Sequence, residues 1–332
     1  MADGWMAARQ AAAADWWGAH ITVADLGEFG LIAAMKALLP AGTAQLVGIG
    51  DDAAVIRAPD ARVVATMDLL VEGRHFRRDW SAAFDVGCKA AAQNLADIAA
   101  MGAVPTVLLV GFATPGDVPA DWALDLARGL AQEAARAGAS VAGGDVSSAE
   151  AIMIAVTALG DLAGREPVTR GGARPGDQLA IAGVLGRSAA GLALLKAGLA
   201  EPAVLVAAHQ RPQPPYDAGP QAADLGATAM IDVSDGLAQD LGHVAAASGV
   251  RIDIDTTRLA GDPQLAAAAS ALGADRLGWA LTGGEDHALA ATFPPGTELP
   301  ARWSVIGAVA AGRGVRVDGG SSPTHSGWDH FR

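Results

Sequence analysis

The hydrophobic pattern in the first half of the chain predicts an α+β layer. β-type runs alternate with amphipathic helical stretches, and glycine or proline ends several of them. The predicted helices are 31–39, 83–101 and 122–137, and the predicted strands are 45–49, 62–67, 106–112 and 152–159. Strands come first and are followed by helix, strand, helix and strand, an order that fits an α+β layer better than a regular βαβ array.

The predicted helix over 83–101 has an apolar side for packing and a polar side for chemistry. Lys89, Gln93 and Asp97 fall four residues apart and share one face, with Asn94 beside them. Asp97 lies near the end of the helix, where the helix dipole disfavours a carboxylate. We therefore expect a cation beside Asp97.

Irregular sequence rich in glycine and proline near 160–176 divides the chain into two predicted domains. The length of 332 residues exceeds one ordinary hydrophobic core. We assign 1–20 to an Ala-rich leader of unknown role, 21–162 to an N-terminal domain of sheet and helices, and 163–332 to a C-terminal α/β sandwich domain. The elements predicted in the second domain are strands 178–182, 228–233 and 251–254 and helices 188–196 and 237–248.

The composition indicates a compact soluble protein and excludes several classes. A net charge of −13 without a cluster of Lys and Arg argues against nucleic-acid binding. Cys88 is the single cysteine, which excludes intramolecular disulfides and cysteine-rich zinc sites. The apolar runs are far shorter than the roughly 20 residues of a membrane span, and no apolar core of a secretory signal is present near the start. We expect a cytoplasmic protein with no membrane partner.

Six short patches along the chain set Asp or Glu beside glycine or another small residue. They are Gly50-Asp51-Asp52, Thr66-Met67-Asp68, Asn94-Leu95-Ala96-Asp97, Gly143-Gly144-Asp145, Asp232-Val233-Ser234-Asp235-Gly236 and Gly283-Gly284-Glu285-Asp286. Carboxylates are costly to gather unless a cation binds them, and glycine lets the backbone approach a bulky anion. Hard oxygen ligands suit Mg²⁺, which keeps waters and bridges to substrate phosphates. The patches together predict a magnesium-nucleotide site built from distant segments.

Each patch alone also has an ordinary structural interpretation. Asp52 fits a tight turn, Asp68 at a strand end fits a loop carboxylate or helix cap, and Gly144 fits a Gly-Gly hairpin. Ser234 or Asp235 fits the N-cap of the next helix. Against this, alternation along an extended segment puts Asp232 and Ser234 on one face, which makes this patch the strongest single motif.

Other nucleotide-binding and hydrolase motifs are missing from the sequence. The segment 183–188 lacks both the GK[ST] ending of a P-loop and the GxGxxG spacing of a dinucleotide fold, and no G-x-S-x-G elbow is present. Arg170 is a candidate phosphate clamp because a guanidinium binds phosphate through two hydrogen bonds, although a surface ion pair explains it equally well.

Taken in order, the patches resemble the thiamine-monophosphate kinase family, whose fold is shared with aminoimidazole ribonucleotide synthetase, selenophosphate synthetase and the hydrogenase maturation factor HypE. The resemblance runs from Gly27-Glu28-Phe29 to Gly327-Trp328-Asp329-His330-Phe331 and so covers nearly the whole chain. Further matching segments are 48–53, 71–76, 94–102, 143–145, 169–177, 231–237 and 283–286. The joint order of these segments is specific, whereas each alone is weak.

The resemblance implies transfer of the γ-phosphate of ATP to thiamine monophosphate, by direct in-line attack assisted by several Mg²⁺ ions. It implies a homodimer formed through the N-terminal sheet, with nucleotide bound near the interface. It assigns magnesium contacts to Asp52, Thr66, the backbone of Met67, Asp68, Asp97, Asp145, Asp232 and Asp235. It assigns ATP contacts to Gly144, Arg170 and Ser234, and thiamine-side contacts to His75, Glu285 and Trp328. The chain departs from the family at His287, where a tyrosine is frequent.

Two alternatives remain open on the sequence alone. One is another ATP-using synthetase of the same superfamily, although Cys88 lies within a helix and does not match the reactive N-terminal residue of selenophosphate synthetase. The other is a noncatalytic regulator that binds magnesium-nucleotide or thiamine in the same pocket. The acidic positions of all six patches argue against the regulator.

Overall fold

The computed structural model describes residues 21–50, 53–259, 261–321 and 327, and its N-terminal part opens with a capped helix. Helix α1 spans Val23–Lys36, and Thr22 and Asp25 form a capping box at its start. The helix predicted over 31–39 therefore has the wrong bounds, because the cap at Thr22 lets it begin before the kink at Gly27, where φ is 65°. Strands β1 (Gln45–Val47) and β2 (Val55–Ile56) then form a small antiparallel ribbon.

A four-stranded sheet forms the first layer of the N-terminal half. Its strands are β3 (Val64–Val71), β4 (Val104–Thr114), β5 (Ser140–Ser148) and β6 (Met153–Asp161). They lie in the order β3-β6-β4-β5, with β4 and β5 parallel and the other pairs antiparallel. This sheet and the helices beside it confirm the predicted α+β layer.

Two long helices, α2 (Ala83–Ala100) and α3 (Ala120–Arg136), form the second layer. They pack closely because glycines face the opposing backbone. A Cβ on Gly87 would lie 2.2 Å from Leu126 O, and one on Gly129 would lie 2.0 Å from Phe84 O. Helix α2 packs against β3, β4 and β6 and is almost wholly buried, apart from a few half-buried positions on its polar side.

Two local predictions in this half are wrong. Asp68 does not end a strand, because β3 continues for three residues beyond it to Val71. Gly143 and Gly144 do not form a hairpin, since both lie inside β5 and pair with Leu109 and Val110 of β4. A Cβ on Gly144 would lie 2.0 Å from Val110 O, so close strand packing already requires glycine there.

A larger sheet organises the C-terminal half. Its strands are β7 (Gln178–Ala182), β8 (Ala229–Val233), β9 (Arg251–Ile254), β10 (Ala288–Phe293), β11 (Trp303–Ala310), β12 (Gly314–Val317) and β13 (Gly320–Ser321). Their order is β13-β12-β9-β11-β7-β10-β8, antiparallel except between β12 and β9. The helices are α4 (Arg187–Lys196), α5 (Ala203–Gln210), α6 (Ala218–Asp224), α7 (Leu237–Ser248), α8 (Pro263–Leu272) and α9 (Arg276–Thr282). A short 3-10 helix covers Thr256–Arg258.

The two halves share one continuous hydrophobic core. Leu95 and Ile98 of α2 belong to the same buried cluster as Leu289 and Phe293 of β10. Helix α6 approaches α2 so closely that a Cβ on Gly219 would lie 2.0 Å from the carbonyl oxygen of Ala99. Helix α2 therefore contacts strands of both sheets. The division of the chain between 162 and 163 stays a prediction.

Among the described residues, no helix combines the length and apolarity needed to cross a membrane.

Candidate active site

Asp97 on α2 lies at the meeting point of the two halves. Its Oδ2 accepts a hydrogen bond of 2.8 Å from Thr66 Oγ1 on β3. Burial, and then the negative charges of Asp232 and Asp68, raise the pKa of Asp97 to about 7. The structure thus brings three predicted magnesium ligands within electrostatic reach of one another, and His287 offsets part of the repulsion at Asp97.

Asn94, one turn before Asp97, fixes the neighbouring strand. Its Oδ1 accepts a hydrogen bond of 2.8 Å from the backbone N–H of Asp68, and its Nδ2 donates one of 3.0 Å to Ala90 O. The amide is fully buried. Because the N–H of Asp68 is bonded to a side chain of α2, β3 can carry this carboxylate at an interior position.

We expect Asn94→Leu to lower the free energy of unfolding by about 1–3 kcal/mol, because it leaves a buried N–H without an acceptor. Urea unfolding followed by circular dichroism measures the change. Gln93→Leu, at a half-buried position on the same helix, is the matched control and should change stability by less than about 0.5 kcal/mol. Equal losses in the two variants would show that the bond to Asp68 contributes nothing.

The C-terminal half delivers Asp232 at the end of β8, where it is buried and lies beside His287. The Nδ1 atom of His287 is 3.1 Å from Asp232 Oδ2. Burial alone lowers the pKa of His287, but the hydrogen bond and charge of Asp232 outweigh it and raise the pKa above its usual value. The residue that departs from the family pattern therefore binds its proton more tightly than a free imidazole, next to a predicted metal ligand.

The turn after β8 is not a side-chain helix cap. Helix α7 begins at Leu237 after Gly236, and no side chain caps it. Asp240 accepts hydrogen bonds from the N–H groups of Asp235 (3.1 Å) and Gly236 (3.0 Å). The N-cap interpretation of Ser234 and Asp235 is therefore wrong. The carboxylate in the first turn of a helix was the available signal for Asp240, which the sequence reasoning missed.

A second turn, 283–287, packs directly on the first. The N–H of Glu285 donates to Ser234 O at 2.7 Å, and the N–H of His287 donates to Val233 O at 2.9 Å. Glu285 and His287 have φ of 63° and 52°, conformations that cost energy for residues other than glycine. A Cβ on Gly284 would lie 2.5 Å from Ser234 O, so glycine here serves the contact between the turns.

Asp286 has a structural role within this turn. Its carboxylate accepts hydrogen bonds from the N–H groups of Gly186 (2.5 Å) and Ser188 (2.9 Å) at the start of α4. Burial raises the pKa of Asp286 to about 7 despite these two bonds. Nothing in the spacing of the sequence predicts a contact across about 100 residues.

The two described thiamine-side residues meet through Lys89. Lys89 Nζ lies 2.9 Å from Glu285 Oε1 and donates a hydrogen bond of 3.1 Å to His75 O. The N–H of Val71 donates to Nδ1 of His75 at 3.0 Å, which orients the ring. His75 and Glu285 come from different halves of the chain, and Lys89 contacts both.

Asp145 is not brought to the Asp68, Asp97 and Asp232 group. Strand register places Asp145 level with Gly111, Ala155 and Leu69, whereas Asp68 is level with Val156 on the opposite face. Three strand spacings of about 4.8 Å put β5 roughly 14 Å from β3. Asp145 therefore lies on the sheet face that α2 does not cover.

Several other predicted residues lie apart from that group or outside the described part. Arg170 is exposed, and no described residue forms an ion pair with its guanidinium, so the surface ion-pair interpretation has no support there. The side chain of Met67 is 60% exposed on the open face of the sheet, which leaves its backbone for any metal contact.

Asp52 and Trp328 lie outside the described residues. Within the described ranges, no group of three His, Cys, Asp or Glu side chains has the arrangement of a metal site.

An apolar cavity lies beside Gly144 and Asp145. Its walls come from α1, the segment after it, α3 and the strands β4 and β5, and include Ile32, Met35, Leu39, Val110, Phe112 and Leu130. Apolar side chains line most of this cavity, with Gly144 and the carboxylate of Asp145 on one side.

Comparisons with known proteins identify the family of the chain. Residues 50–162 match the family model of the AIR synthase related protein N-terminal domain, and 174–319 match that of the C-terminal domain. The chain is 50% identical to thiamine-monophosphate kinase of Mycobacterium tuberculosis over 93% of both chains. A crystal structure of thiamine-monophosphate kinase from Stenotrophomonas maltophilia K279a superposes with a TM-score of 0.78 at 33% identity, over 88% of this chain and 96% of that chain. AaThiL complexed with AMPPCP and TMP superposes with a TM-score of 0.77 at 35% identity, over 92% and 98% of the two chains. The chain therefore belongs to the thiamine-monophosphate kinase family, built on the two-domain fold of AIR-synthase-related proteins.

Proposed function

We propose that this protein transfers the γ-phosphate of ATP to thiamine monophosphate and releases thiamine diphosphate and ADP in the cytoplasm. The observation that carries the proposal is the group formed by Asp68, Asp97 and Asp232, in which burial and then the charges of Asp232 and Asp68 raise the pKa of Asp97 to about 7. A cation bound between these carboxylates would relieve their repulsion and favour their ionised form. The AMPPCP and TMP bound to AaThiL support the choice of substrates.

The donor set fits magnesium. Asp52, Asp68, Asp97, Asp232 and Asp235, with Thr66 Oγ1 and the backbone of Met67, would hold it through hard oxygen atoms. Bound Mg²⁺ neutralises the charges of two phosphate groups that otherwise repel each other. Because magnesium takes part of its coordination from water and substrate phosphates, the protein needs to supply only some of the ligands.

The remaining residues bind and orient the two substrates. The apolar cavity beside Gly144 would take the base of ATP, with Arg170 and Ser234 toward the phosphates. His75, Glu285 and Trp328 would contact the thiamine side. No side-chain nucleophile is needed, since an oxygen of the acceptor phosphate is already ionised near pH 7 and attacks in line.

Product analysis tests the function directly. Incubation with ATP, Mg²⁺ and thiamine monophosphate should give thiamine diphosphate and ADP in equal amounts, and thiamine should not replace the monophosphate. Chromatography of the thiamine esters measures the products. Binding of ATP without any product would favour the noncatalytic regulator, and ADP formation without thiamine diphosphate would favour another synthetase.

A homodimer through the open face of the N-terminal sheet belongs to the same proposal. Met67 and Leu69 of β3 are 60% and 40% exposed on this face, beside half-buried Leu109 and Leu159. An uncovered apolar sheet face is typical of an interface. Asp145 shares the face, so a dimer places this predicted metal ligand at the subunit boundary.

We expect Leu69→Asp to convert the dimer to a monomer, because it buries a carboxylate in an apolar contact. Sedimentation velocity measures the molecular mass. Leu199→Asp changes a leucine that is 42% exposed outside the sheet and should leave the mass of the dimer unchanged. A dimeric Leu69→Asp variant, or a monomeric wild-type protein, contradicts the proposed interface.

A further inference from the structure

We propose that Lys89 is a positioning residue for the thiamine-side pocket, holding the His75 segment and the Glu285 carboxylate in register across the two halves of the chain. The inference rests on the proposed function. It concerns a residue to which the family resemblance gives no role.

Lys89 is buried, and its contacts join segments that are distant in sequence. Its side chain is 3% exposed, lies within α2, and reaches Glu285 Oε1 at 2.9 Å and His75 O at 3.1 Å. One ammonium group therefore connects the loop after β3 with the turn before β10. Both partners are predicted substrate contacts, so a shift at Lys89 would move two sides of one pocket.

Stability alone does not explain a lysine at this position. A buried ion pair gains little over apolar residues of similar volume, because the loss of hydration offsets the attraction. The neighbouring positions of α2 are small or apolar and pack tightly, as Cys88, Ala90 and Ala91 show. An ammonium here is better explained by the orientation that it gives to its two partners.

Glu285 depends on Lys89 for its charge and its direction. Burial by itself raises the pKa of Glu285, but the neighbouring basic side chains, Lys89 first among them, together outweigh it, and the pKa lies below its usual value. The other contact of the carboxylate is Nδ1 of His209, 3.3 Å from Oε2. Burial and the charge of Lys89 lower the pKa of His209 to about 3, so His209 is neutral. Lys89 is thus the cation that contacts Glu285, while 31% of the Glu285 side chain remains exposed.

The Ser188, His209 and Glu285 side chains do not form a hydrolytic triad. Ser188 Oγ and Glu285 Oε2 both lie next to the same ring atom, Nδ1 of His209, at 3.2 and 3.3 Å. A proton relay needs the two ring nitrogens to face different partners. Ser188 is also buried, so these residues support the Glu285 carboxylate and carry no reaction of their own.

Steady-state kinetics of Lys89→Met tests the inference. We expect KM for thiamine monophosphate to rise about 10- to 100-fold while KM for ATP stays within about 2-fold, since the ATP side does not involve these contacts. Lys89→Arg keeps the charge and two donors and should recover most of the lost affinity. Lys196→Met removes an exposed charge near His209 without touching Glu285 or His75 and should behave as wild type.

Direct binding separates this inference from the proposed function. Calorimetry with thiamine monophosphate in the absence of ATP should show the same loss of affinity in Lys89→Met, and Lys89→Gln, which keeps a donor for His75 O but not the charge, should show it where Lys89→Met fails to fold. An unchanged KM and Kd for thiamine monophosphate in Lys89→Met, or an equal loss for both substrates, overturns the role of Lys89. Failure of the wild-type protein to bind or phosphorylate thiamine monophosphate instead overturns the proposed function.

Discussion

Replacing Asp97 by Asn should abolish most of the turnover and at the same time make the metal-free protein more stable above pH 7. Asp97 is predicted to hold Mg²⁺, so its loss should reduce kcat by on the order of 100- to 10,000-fold. The structural effect has the opposite sign, because Asn removes a buried charge repelled by Asp232 and Asp68 while keeping an oxygen for the bond from Thr66. The Asp97→Asn variant should therefore lose activity while it gains stability.

The pH dependence follows from the raised pKa of Asp97. In the unfolded chain the carboxyl titrates at its usual value near 3.8, and in the folded protein near 7. Between these values the folded state binds more protons than the unfolded state, so this group makes stability fall as the pH rises. Below both pKa values the carboxyl is protonated in both states and costs no stability. Above both values it is ionised in both states, and the loss of stability is complete. Each pKa unit corresponds to about 1.4 kcal/mol, which gives an upper limit of roughly 4 kcal/mol.

Denaturant unfolding in the presence of a chelator should show this difference. We expect Asp97→Asn to match wild type near pH 4 and to exceed it by about 1–3 kcal/mol at pH 8. Asp121→Asn, an exposed carboxylate in the first turn of α3, should give no such gain. Added Mg²⁺ should stabilise wild type more than Asp97→Asn. A variant that is less stable at pH 8, or that keeps wild-type kcat, would refute the role given to Asp97.

The regular elements with strong periodicity could be read from the sequence. Strand β7 and helix α7 have the predicted bounds of 178–182 and 237–248, because a compact apolar run and an amphipathic repeat ending before Gly249 leave little choice. The errors occur where a polar residue stands inside an element. The β-rich run over 62–67 predicts Asp68 at the end of a strand, whereas β3 continues to Val71, paired with β6 and with the N–H of Asp68 bonded to the side chain of Asn94.

The site was predictable as a set of positions but not as a set of contacts. The order of six acidic patches identified the family, although Gly144 and Gly284 are glycines for reasons of backbone packing that apply without any phosphate. The contacts of Lys89 with Glu285 and of His287 with Asp232 join residues far apart in sequence. Their geometry depends on how the C-terminal sheet packs on α2, which no local pattern contains.

Combining Asp97→Asn with Asp232→Asn should cost hardly more activity than either change alone. If both carboxylates bind the same ions, the first substitution already removes most of what the second would remove, and their effects on kcat are strongly non-additive. Two independent functions would instead multiply, so that two losses of about 100-fold would give about 10,000-fold. Rapid-quench measurement of thiamine diphosphate formation, with both substrates saturating, gives the rates of the wild type, the two single variants and the double variant.

The stability of the same four proteins provides an independent test. Either substitution removes the repulsion between Asp97 and Asp232, so this gain is counted once and the two stabilisations should sum to more than that of the double variant. Asp232→Asn also deprives His287 of its ionic partner, so it should stabilise the metal-free protein less than Asp97→Asn does. Additive changes in both kcat and stability would mean that the two carboxylates act separately. The proposal of one metal site between the two halves would then be wrong, because it requires the carboxylates of α2 and β8 to bind the same cation.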